Sequence, residues 1–322
     1  MKSGLLEIET WAVQDSTKVQ SYMVCPRQYF FEYVLGWKID RPNVHLVYGT
    51  AVHYAMEILM ERGYDEQARQ DALAVMEDYY AEHIPPDMWD HYAPKDPINA
   101  RRGLELYAQH YREDDFKVLH IEVAGSVAIS ETSDIYFKTD TICQDHRGYF
   151  SLEHKTSGRF SKTWADQWRL KFQSGTYNHV LYCLYPEEAV YGVLINGLFP
   201  HKEPRLKKNG EPYANERDWE FHRVSVRRNR DSMQAWLIEA NYWMGAIEQD
   251  FQRLADVAEE DKHMLAFLRN TESCTRYGLC PYYDHCTLWH NPLQHCTEPP
   301  IGFILEHWDP RTIETVRETI NL

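Results

Sequence analysis

The chain has 322 residues, of which 43% are hydrophobic and 26% are charged, and its formal net charge at pH 7 is −15. This composition predicts a globular protein with a sizeable core, and the acidic excess argues against a protein that coats nucleic acid non-specifically. No apolar run reaches the roughly 18 residues of a membrane span, and the N-terminal stretch has acidic residues where a signal peptide would be apolar. We therefore expect a cytoplasmic protein with no membrane partner, whose seven cysteines are thiols or metal ligands.

The first part of the chain carries helical patterns. Residues 15–36 predict a helix that is broken or restarted at its proline, and a second helix that includes His53 is expected to begin near Thr50. Residues 65–115 contain two more helical patterns, separated by a segment rich in proline. We interpret residues 65–115 as a helical insertion in a single domain that comprises residues 1–322.

Beyond this insertion the apolar pattern alternates with a period of two, which is typical of strands. A symmetric turn centred between His146 and Arg147 would place Asp140 directly opposite Glu153, and side chains that are directly opposite lie on the same face. Lys155 follows Glu153 by two residues and shares its face, so these three charged side chains are expected to converge. The strands are expected at residues 116–130, 134–143 and 149–156, and the side chains expected to face away are those of Phe137, Leu152 and His154.

The second half of the chain predicts a helix, two strands and a long helix before a cysteine-rich tail. Residues 161–185 form the first of these helices, with Gln173 and Tyr177 four residues apart on one face. Two strands flank a basic turn at residues 205–210, and residues 231–269 predict a long amphipathic helix. Helices, a strand meander, a helix and further strands in this order predict an α/β fold.

The expected group of two carboxylates and a lysine has a chemical consequence. Two carboxylates held close together repel each other unless a cation lies between them or one is protonated, and a divalent metal ion satisfies that condition. Oxygen ligands suit Mg²⁺ or Mn²⁺, and a neighbouring lysine can orient or deprotonate an attacking water. Asp140, Glu153 and Lys155 therefore indicate metal-dependent hydrolysis of phosphodiester bonds. The alternative is a solvated ion pair on an exposed strand, which a Glu-x-Lys motif alone would favour.

The neighbouring motifs resemble those of the PD-(D/E)XK nuclease superfamily, specifically its RecB-like branch. The stretch "YGTAVHYAME" is similar to the Gly-Thr-x-x-His helix of that branch, and "LEHKT" is similar to its Glu-x-Lys strand. The resemblance implies a restriction-endonuclease-like core, in which helices flank a central mixed sheet. It also implies that His53, Asp140, Glu153 and the backbone carbonyl of His154 bind Mg²⁺ or Mn²⁺, while Lys155 acts on the attacking water.

Four further positions bear on this resemblance. The stretch "QSGTY" resembles the Gln-x-x-x-Tyr helix of the branch, which implies that Gln173 and Tyr177 bind the DNA substrate near the scissile bond. Glu122 resembles a commonly acidic position on the preceding strand, where it would bind metal indirectly, orient a ligand or simply be exposed. The branch usually has glycine three residues before its aspartate, where this chain has Phe137, and we expect that ring to face away from the metal.

The cysteines form a second constellation in a segment at residues 270–296. Three of them are spaced as C-x5-C-x5-C, which predicts a metal site. They are Cys274, Cys280 and Cys286. The stretch "CPRQYFFEYVLG", with Cys25, resembles the N-terminal cysteine helix of AddB-type and CRISPR-associated nucleases, in which one early cysteine joins three late ones around a [4Fe–4S] cluster. The late cysteines of those nucleases more often have the spacing C-x2-C-x5-C. The alternatives to an iron–sulfur cluster are therefore a zinc site and thiols that bind no metal, and Cys296 could replace one of the ligands. The cysteines interpreted as small buried hydrophobic residues are Cys143 and Cys183.

The resemblance implies hydrolysis of DNA, with exonuclease action on single strands or ends, in recombination, repair or DNA processing. The chain has no G-x-x-x-x-G-K-[ST] loop, so we expect it to rely on a helicase or recombination partner for movement along DNA. Two alternatives stay open. One is a non-catalytic DNA-end-binding or scaffold protein. The other is a nuclease subunit that acts only within a recombination, repair or CRISPR-adaptation complex, which would account for the acidic net charge.

Overall fold

The centre of the protein is a mixed six-stranded sheet flanked by helices. The computed structural model describes residues 9–211, 213, 217–276, 278–312 and 316–322, so the N-terminus of the predicted domain and residue 277 of the cysteine-rich segment lie outside it. The strands are β1 (Trp37–Ile39), β2 (Lys117–Ala128), β3 (Asp134–Asp145), β4 (Gly148–Thr156), β5 (Val190–Phe199), β6 (Glu220–Val226), β7 (Phe303–Leu305) and β8 (Glu318–Thr319).

The strands of the large sheet lie in the order β6-β5-β4-β3-β2-β8. Strands β2, β3 and β4 form an antiparallel meander, β5 is parallel to β4, and β6 is antiparallel to β5. The C-terminal strand β8 joins the edge of β2 in parallel, while β1 and β7 pair separately. Parallel strands need a long crossover, and helices form the connection between β4 and β5. The predicted meander and the α/β class with a mixed sheet are confirmed.

Several helices begin where a side chain accepts a hydrogen bond from a backbone N–H that has no partner within the helix. Asp15 caps the first helix by accepting from the N–H of Lys18 (2.8 Å), and the chain restarts as a helix at Pro26, as predicted. A π-helical turn follows at Phe30–Val34. The α-helices are α1 (Ser16–Val24), α2 (Pro26–Tyr29), α3 (Val44–Arg62), α4 (Glu66–His83), α5 (Trp89–Tyr92), α6 (Pro97–His110), α7 (Lys162–Gln167), α8 (Phe172–Leu184), α9 (Arg230–Asp256) and α10 (Tyr283–Leu288).

The start of α3 differs from the prediction. Its N-cap is Asn43, whose side chain accepts a hydrogen bond from the N–H of His45, so Thr50 lies inside the helix rather than near its start. Gly49 and Thr50 are weak helix formers, but their neighbours on α3 are buried against the rest of the protein. Tertiary packing therefore outweighs local propensity here.

Two other helix boundaries were predicted wrongly. Residues 161–185 form two helices, α7 and α8, separated by a turn at residues 168–171. The hydroxyl of Ser174 donates to two carbonyls of that turn, which gives the backbone an alternative to a continuous helix. Helix α9 ends at Asp256 rather than at Arg269, because the residue after Asp256 is extended.

Residues 65–115 are mainly helical and contribute to the core, and their interpretation as an insertion stays a prediction. Its helices α4 and α6 pack with α3 and with β4, β5 and β6 in one apolar cluster. The opposite face of the sheet is covered by α1, α8 and α9. Within the described ranges, every helix is too short or too polar to be a membrane span. Tyrosines that are fully buried in the cluster around α3 are Tyr48, Tyr80 and Tyr107.

Candidate metal centre

Strands β3 and β4 pair in the register that the sequence predicted. Thr141 lies opposite Leu152, and the ladder continues from there to the turn. The pairs end at Thr141, and beyond it the carboxylate of Asp140 accepts a hydrogen bond from the backbone N–H of His154 (N to Oδ2, 2.7 Å). Asp140 therefore lies where the two strands stop pairing.

Helix α3 and strand β2 bring two more side chains to this carboxylate. The Nδ1 atom of His53 lies 3.3 Å from Oδ1 of Asp140. Glu122 lies on β2 with a φ of 53°, a left-handed conformation that is uncommon for a residue other than glycine. One ligand atom from each of His53, Glu122 and Asp140 lies within 4.8 Å of the others. An imidazole nitrogen and two carboxylate oxygens suit Mn²⁺ and, with added water, Mg²⁺.

Glu153 lies outside this compact group but has an available oxygen. Its side chain is fully buried, and Oε1 accepts hydrogen bonds from the hydroxyls of Thr139 and Ser151. Within the described part of the chain, Oε2 accepts no hydrogen bond, and it lies 3.9 Å from Nζ of Lys155. A buried carboxylate oxygen without a hydrogen-bond donor is costly, and a bound cation would satisfy it. The geometry of Glu153 therefore fits the predicted metal site.

The charges of the site depend strongly on one another. Burial, and then the charge of Asp140, raise the pKa of Glu153 to about 7. Burial alone would raise the pKa of Asp140, but the charges of His53 and Lys155 outweigh it and lower that pKa. Burial opposes protonation of His53, yet Asp140 raises the His53 pKa overall. Without a metal ion, the site therefore favours a proton on His53 and on Glu153 more than the free side chains do, while Asp140 keeps its charge more readily.

His154 has its imidazole in a different environment from the carboxylates. Its Nδ1 lies 2.8 Å from the side-chain nitrogen of Asn196, and burial lowers the pKa of His154 to about 3. The ring is therefore neutral. It stands edge-on to the ring of His53, with 6.3 Å between the centroids. The predicted role of the His154 carbonyl as a ligand stays a prediction.

Gln173 and Tyr177 lie on α8 beside the carboxylates. Tyr177 is 6% exposed, and burial followed by the charges of Glu153 and Asp140 raises its pKa. Gln173 is a hydrogen-bond partner of the Tyr177 hydroxyl. The structure thus places both residues next to the site, as their predicted role in substrate binding requires.

Phe137 was predicted to share a face with Leu152, and that prediction was wrong. Phe137 is 2% exposed in the apolar cluster with α8 and α9, whereas Leu152 belongs to the cluster around α3 on the other face, because the regular pairing of β3 with β4 ends at Thr141.

The C-terminal segment contacts both Glu122 and α3, and the sequence alone did not predict these contacts. The N–H of Arg317 donates to the carbonyl of Glu122 (3.0 Å). Its guanidinium donates to Glu57 (Nε to Oε1, 2.6 Å) and to Glu61 (Nη1 to Oε1, 2.9 Å), both on α3. Lys138 on β3 forms an ion pair with the Glu122 carboxylate (2.6 Å). These contacts link the strand that carries Glu122 to the helix that carries His53.

The four cysteines predicted to bind one metal site also lie near one another. Cys25, between α1 and α2, is 6% exposed, and its sulfur accepts a hydrogen bond from the N–H of Asn270 (3.4 Å). Burial raises the pKa of the Cys280 thiol, and so do the charges of Cys25 and Cys274. Burial, with Cys25 and Cys280, raises the pKa of Cys286 to about 12. The sulfur of Cys25 therefore lies beside the start of the segment that carries the late cysteines.

The surroundings of these sulfurs fit an anionic metal site. Arg27 is 2% exposed, and its Nε donates to the carbonyl of Phe267 (2.9 Å), while its Nη1 has no hydrogen-bond partner among the described residues. Burial lowers the pKa of Arg27 to about 10, although the charges of Cys286 and Cys25 act in the opposite direction and raise it. Metal-bound thiolates would compensate this buried cation. Within the described ranges, no three of the cysteine sulfurs lie within 4.8 Å of one another, so they are less compact than the carboxylate–histidine group.

Comparison with known proteins identifies the family. The sequence model of the PD-(D/E)XK nuclease superfamily matches residues 16–287. No curated protein matches the chain. Among solved structures, the one described as "Crystal structure of SSO0001" is similar at 10% identity over 71% of this chain and 82% of that chain, with a TM-score of 0.21. Because the match covers most of its length, the chain belongs to the PD-(D/E)XK nuclease superfamily.

Proposed function

We propose that the protein is a metal-dependent DNA nuclease of the RecB-like branch. The observation that carries this proposal is the convergence of His53, Glu122 and Asp140, with one ligand atom each within 4.8 Å of the others, close to Glu153 and Lys155. Membership in a nuclease superfamily gives the reaction class, and the nitrogen and oxygen donors suit the divalent ions Mg²⁺ and Mn²⁺.

Each residue of the site has a proposed role. His53, Asp140 and Glu153 would hold the metal ion, with Oε2 of Glu153 as its available atom and the carbonyl of His154 as a further ligand. Glu122, which lies in the compact group with His53 and Asp140, would bind the metal indirectly or orient a ligand.

When bound at this site, a divalent ion would supply Lewis-acid chemistry and would activate a water. Lys155, with Nζ 3.9 Å from Glu153, orients or deprotonates the attacking water and balances negative charge at the phosphate.

The proposed substrate is DNA, and the proposed mode is exonuclease action on single strands or ends. Gln173 and Tyr177 support this mode because they lie beside the carboxylates and would contact the strand near the scissile bond. A helicase or recombination protein would be the partner that supplies movement along DNA. The proposed setting is recombination, repair or DNA processing in the cytoplasm.

The cysteines are proposed to hold a [4Fe–4S] cluster, with zinc as the alternative metal. The proximity of the early cysteine to the late ones and the buried guanidinium beside them support an anionic metal site. Such a site would tie the N-terminal helices to the C-terminal segment, so its role would be structural. The proposed ligands are Cys25, Cys274, Cys280 and Cys286.

The test is cleavage of end-labelled single-stranded and double-stranded DNA in Mg²⁺ and in Mn²⁺. We expect the wild type to shorten the DNA from its ends and Lys155→Ala to lose that activity. The control variant is Lys117→Ala, which removes an exposed lysine from β2. Equal cleavage by Lys155→Ala would contradict the proposal. DNA binding by the wild type without cleavage would instead support the non-catalytic scaffold.

A further inference from the structure

A row of polar side chains crosses the apolar face of the sheet that α3, α4 and α6 cover. His154 on β4 lies opposite Asn196 on β5, and Asn196 lies opposite Arg223 on β6. Side chains directly opposite each other in neighbouring strands lie on the same face, so these three residues, which we call the polar row, stand side by side. Their neighbours two positions away on this face are apolar. They include Leu152, Leu194, Leu198 and Phe221.

Helix α6 contributes a hydroxyl to the polar row. The side-chain nitrogen of Asn196 donates to the Tyr107 hydroxyl (2.8 Å) and lies 2.8 Å from Nδ1 of His154. Arg223 donates to the same hydroxyl (3.4 Å), and its two Nη atoms donate to the carboxylate of Asp114 (2.7 Å each), which follows α6 in the chain. A continuous series of contacts therefore connects α6 and the residues after it to His154.

Burial of these polar groups is costly. Asn196 and Tyr107 are fully buried, and His154 is 2% exposed. Among the residues that the structure describes, Oδ1 of Asn196 and Nε2 of His154 have no hydrogen-bond partner. Apolar side chains in this row would avoid that cost, so packing alone does not account for the polar ones. Departures of this kind are expected where a function outweighs stability.

His154 connects the polar row to the metal centre. Its backbone N–H donates to Oδ2 of Asp140 (2.7 Å), and its ring stands edge-on to that of His53, with 6.3 Å between the centroids. Because side chains alternate along a strand, the His154 ring projects from the opposite face to Glu153 and Lys155. A fixed ring therefore limits the twisting and sliding of β4 at the point where it carries these two residues.

We propose that Asn196 and Tyr107 are positioning residues of the metal centre and that they act through the side chain of His154. Asn196 holds the His154 ring, and Tyr107 holds the amide of Asn196 and links it to α6. The backbone of β4 then keeps one arrangement, in which its N–H binds Asp140 and Glu153 is presented to the metal. The inference rests on the proposed nuclease function and gives α6 a role in it.

The experiment measures Mn²⁺ affinity by calorimetric titration, at a temperature at which each variant is folded. Tyr107→Phe, which removes only the hydroxyl, should weaken Mn²⁺ binding about tenfold, and Asn196→Leu should weaken it about 10- to 100-fold, as is typical of groups that orient metal ligands. The matched control is Tyr80→Phe. The Tyr80 hydroxyl belongs to the same apolar cluster and donates to the carbonyl of Lys95 (2.8 Å), so this variant loses a similar hydrogen bond and should keep wild-type Mn²⁺ affinity.

A double variant separates positioning from a general loss of stability. If Tyr107 acts through Asn196, the Mn²⁺ affinity of Tyr107→Phe/Asn196→Leu should equal that of Asn196→Leu alone. Losses that multiply in the double variant would contradict this order of action, because they would show two independent effects. If Asn196→Leu does not fold, the comparison of Tyr107→Phe with Tyr80→Phe decides the question.

The outcomes separate this inference from the nuclease proposal. Wild-type Mn²⁺ affinity in Tyr107→Phe, or an equal loss in Tyr80→Phe, would overturn the positioning role even if the protein cleaves DNA. Weaker Mn²⁺ binding in Tyr107→Phe, with wild-type affinity in Tyr80→Phe, would support it even if the wild type never cleaved DNA. A wild type that binds no Mn²⁺ would overturn the metal centre and the positioning role together.

Discussion

The two candidate metal regions of the molecule are built in different ways. The carboxylate–histidine group of His53, Glu122 and Asp140 stands on α3, β2 and β3, and its three ligand atoms lie within 4.8 Å of one another. The cysteines stand on short helices, turns and helix junctions, and three of the four are half-buried. The sheet fixes the positions of the side chains in the carboxylate–histidine group, whereas little regular secondary structure fixes the positions of the cysteines.

This difference predicts different consequences of losing a ligand. A sheet keeps its side chains in place when a ligand is removed, so damage at the carboxylate site should appear as lost chemistry. The cysteines join distant parts of the chain, so damage there should appear as lost stability. The following variants test this difference between the carboxylate site and the cysteines.

The largest effect is expected at Lys155. Lys155→Ala should lower the cleavage rate by about 10²- to 10⁴-fold, because the loss of a group that handles the attacking water costs that much. The melting temperature, measured by calorimetry, should stay within a few degrees of the wild type. If Lys155→Ala lost activity only because its melting temperature fell, the proposed difference between the carboxylate site and the cysteines would be wrong.

The next effect concerns the cysteines. Cys280→Ser should destabilise the protein by up to roughly 5 kcal/mol, an upper value from the entropy of closing a loop of about 250 residues. Anaerobically purified wild type should contain iron and labile sulfide, and the variant should lack both and melt earlier. The matched control is Cys183→Ser, because the prediction that Cys183 is buried was wrong and its side chain is exposed near the end of α8. An unchanged melting temperature in Cys280→Ser would contradict a structural role of the cysteine metal site.

A smaller effect is expected from Arg317, which contacts the carbonyl of Glu122 and the carboxylates on α3. Arg317→Ala should weaken Mn²⁺ binding about 10- to 100-fold, as is typical when a group that orients metal ligands is lost. Calorimetric titration measures this, and Arg317→Lys should restore part of the affinity. Arg112→Ala, which removes an exposed arginine, serves as the control. Wild-type Mn²⁺ affinity in Arg317→Ala would show that the C-terminal segment does not position the site.

The smallest effect is a dependence of metal affinity on pH. The pKa of Glu153 is raised to about 7 and that of His53 is raised above its usual value, so both bind protons near pH 6 that a metal ion must displace. Mn²⁺ affinity should therefore increase at least about fivefold between pH 6 and 7, and it should level off only where the pH exceeds the pKa values of both groups. Titrations in two buffers with different ionisation enthalpies count the released protons. Affinity that is constant over this range would exclude Glu153 as a ligand.

Sequence patterns predicted those features that depend on neighbouring residues. The alternation of apolar residues and a symmetric turn are local, and they gave the correct register of β3 and β4. The left-handed conformation of Glu122 was not predictable, because Arg317 contacts it from far along the chain. The break between α7 and α8 likewise involves Arg228, which reaches it from beyond β6. Distant contacts of this kind leave no local pattern.

The most direct test of the central claim is anomalous diffraction from crystals of the anaerobically purified protein soaked in Mn²⁺. The account predicts a manganese peak bonded to His53, Asp140 and Glu153, at about 2.1 Å from the carboxylate oxygens, and a separate iron peak among the cysteines. A manganese ion bound elsewhere, with these three side chains unliganded, would contradict the proposed metal centre.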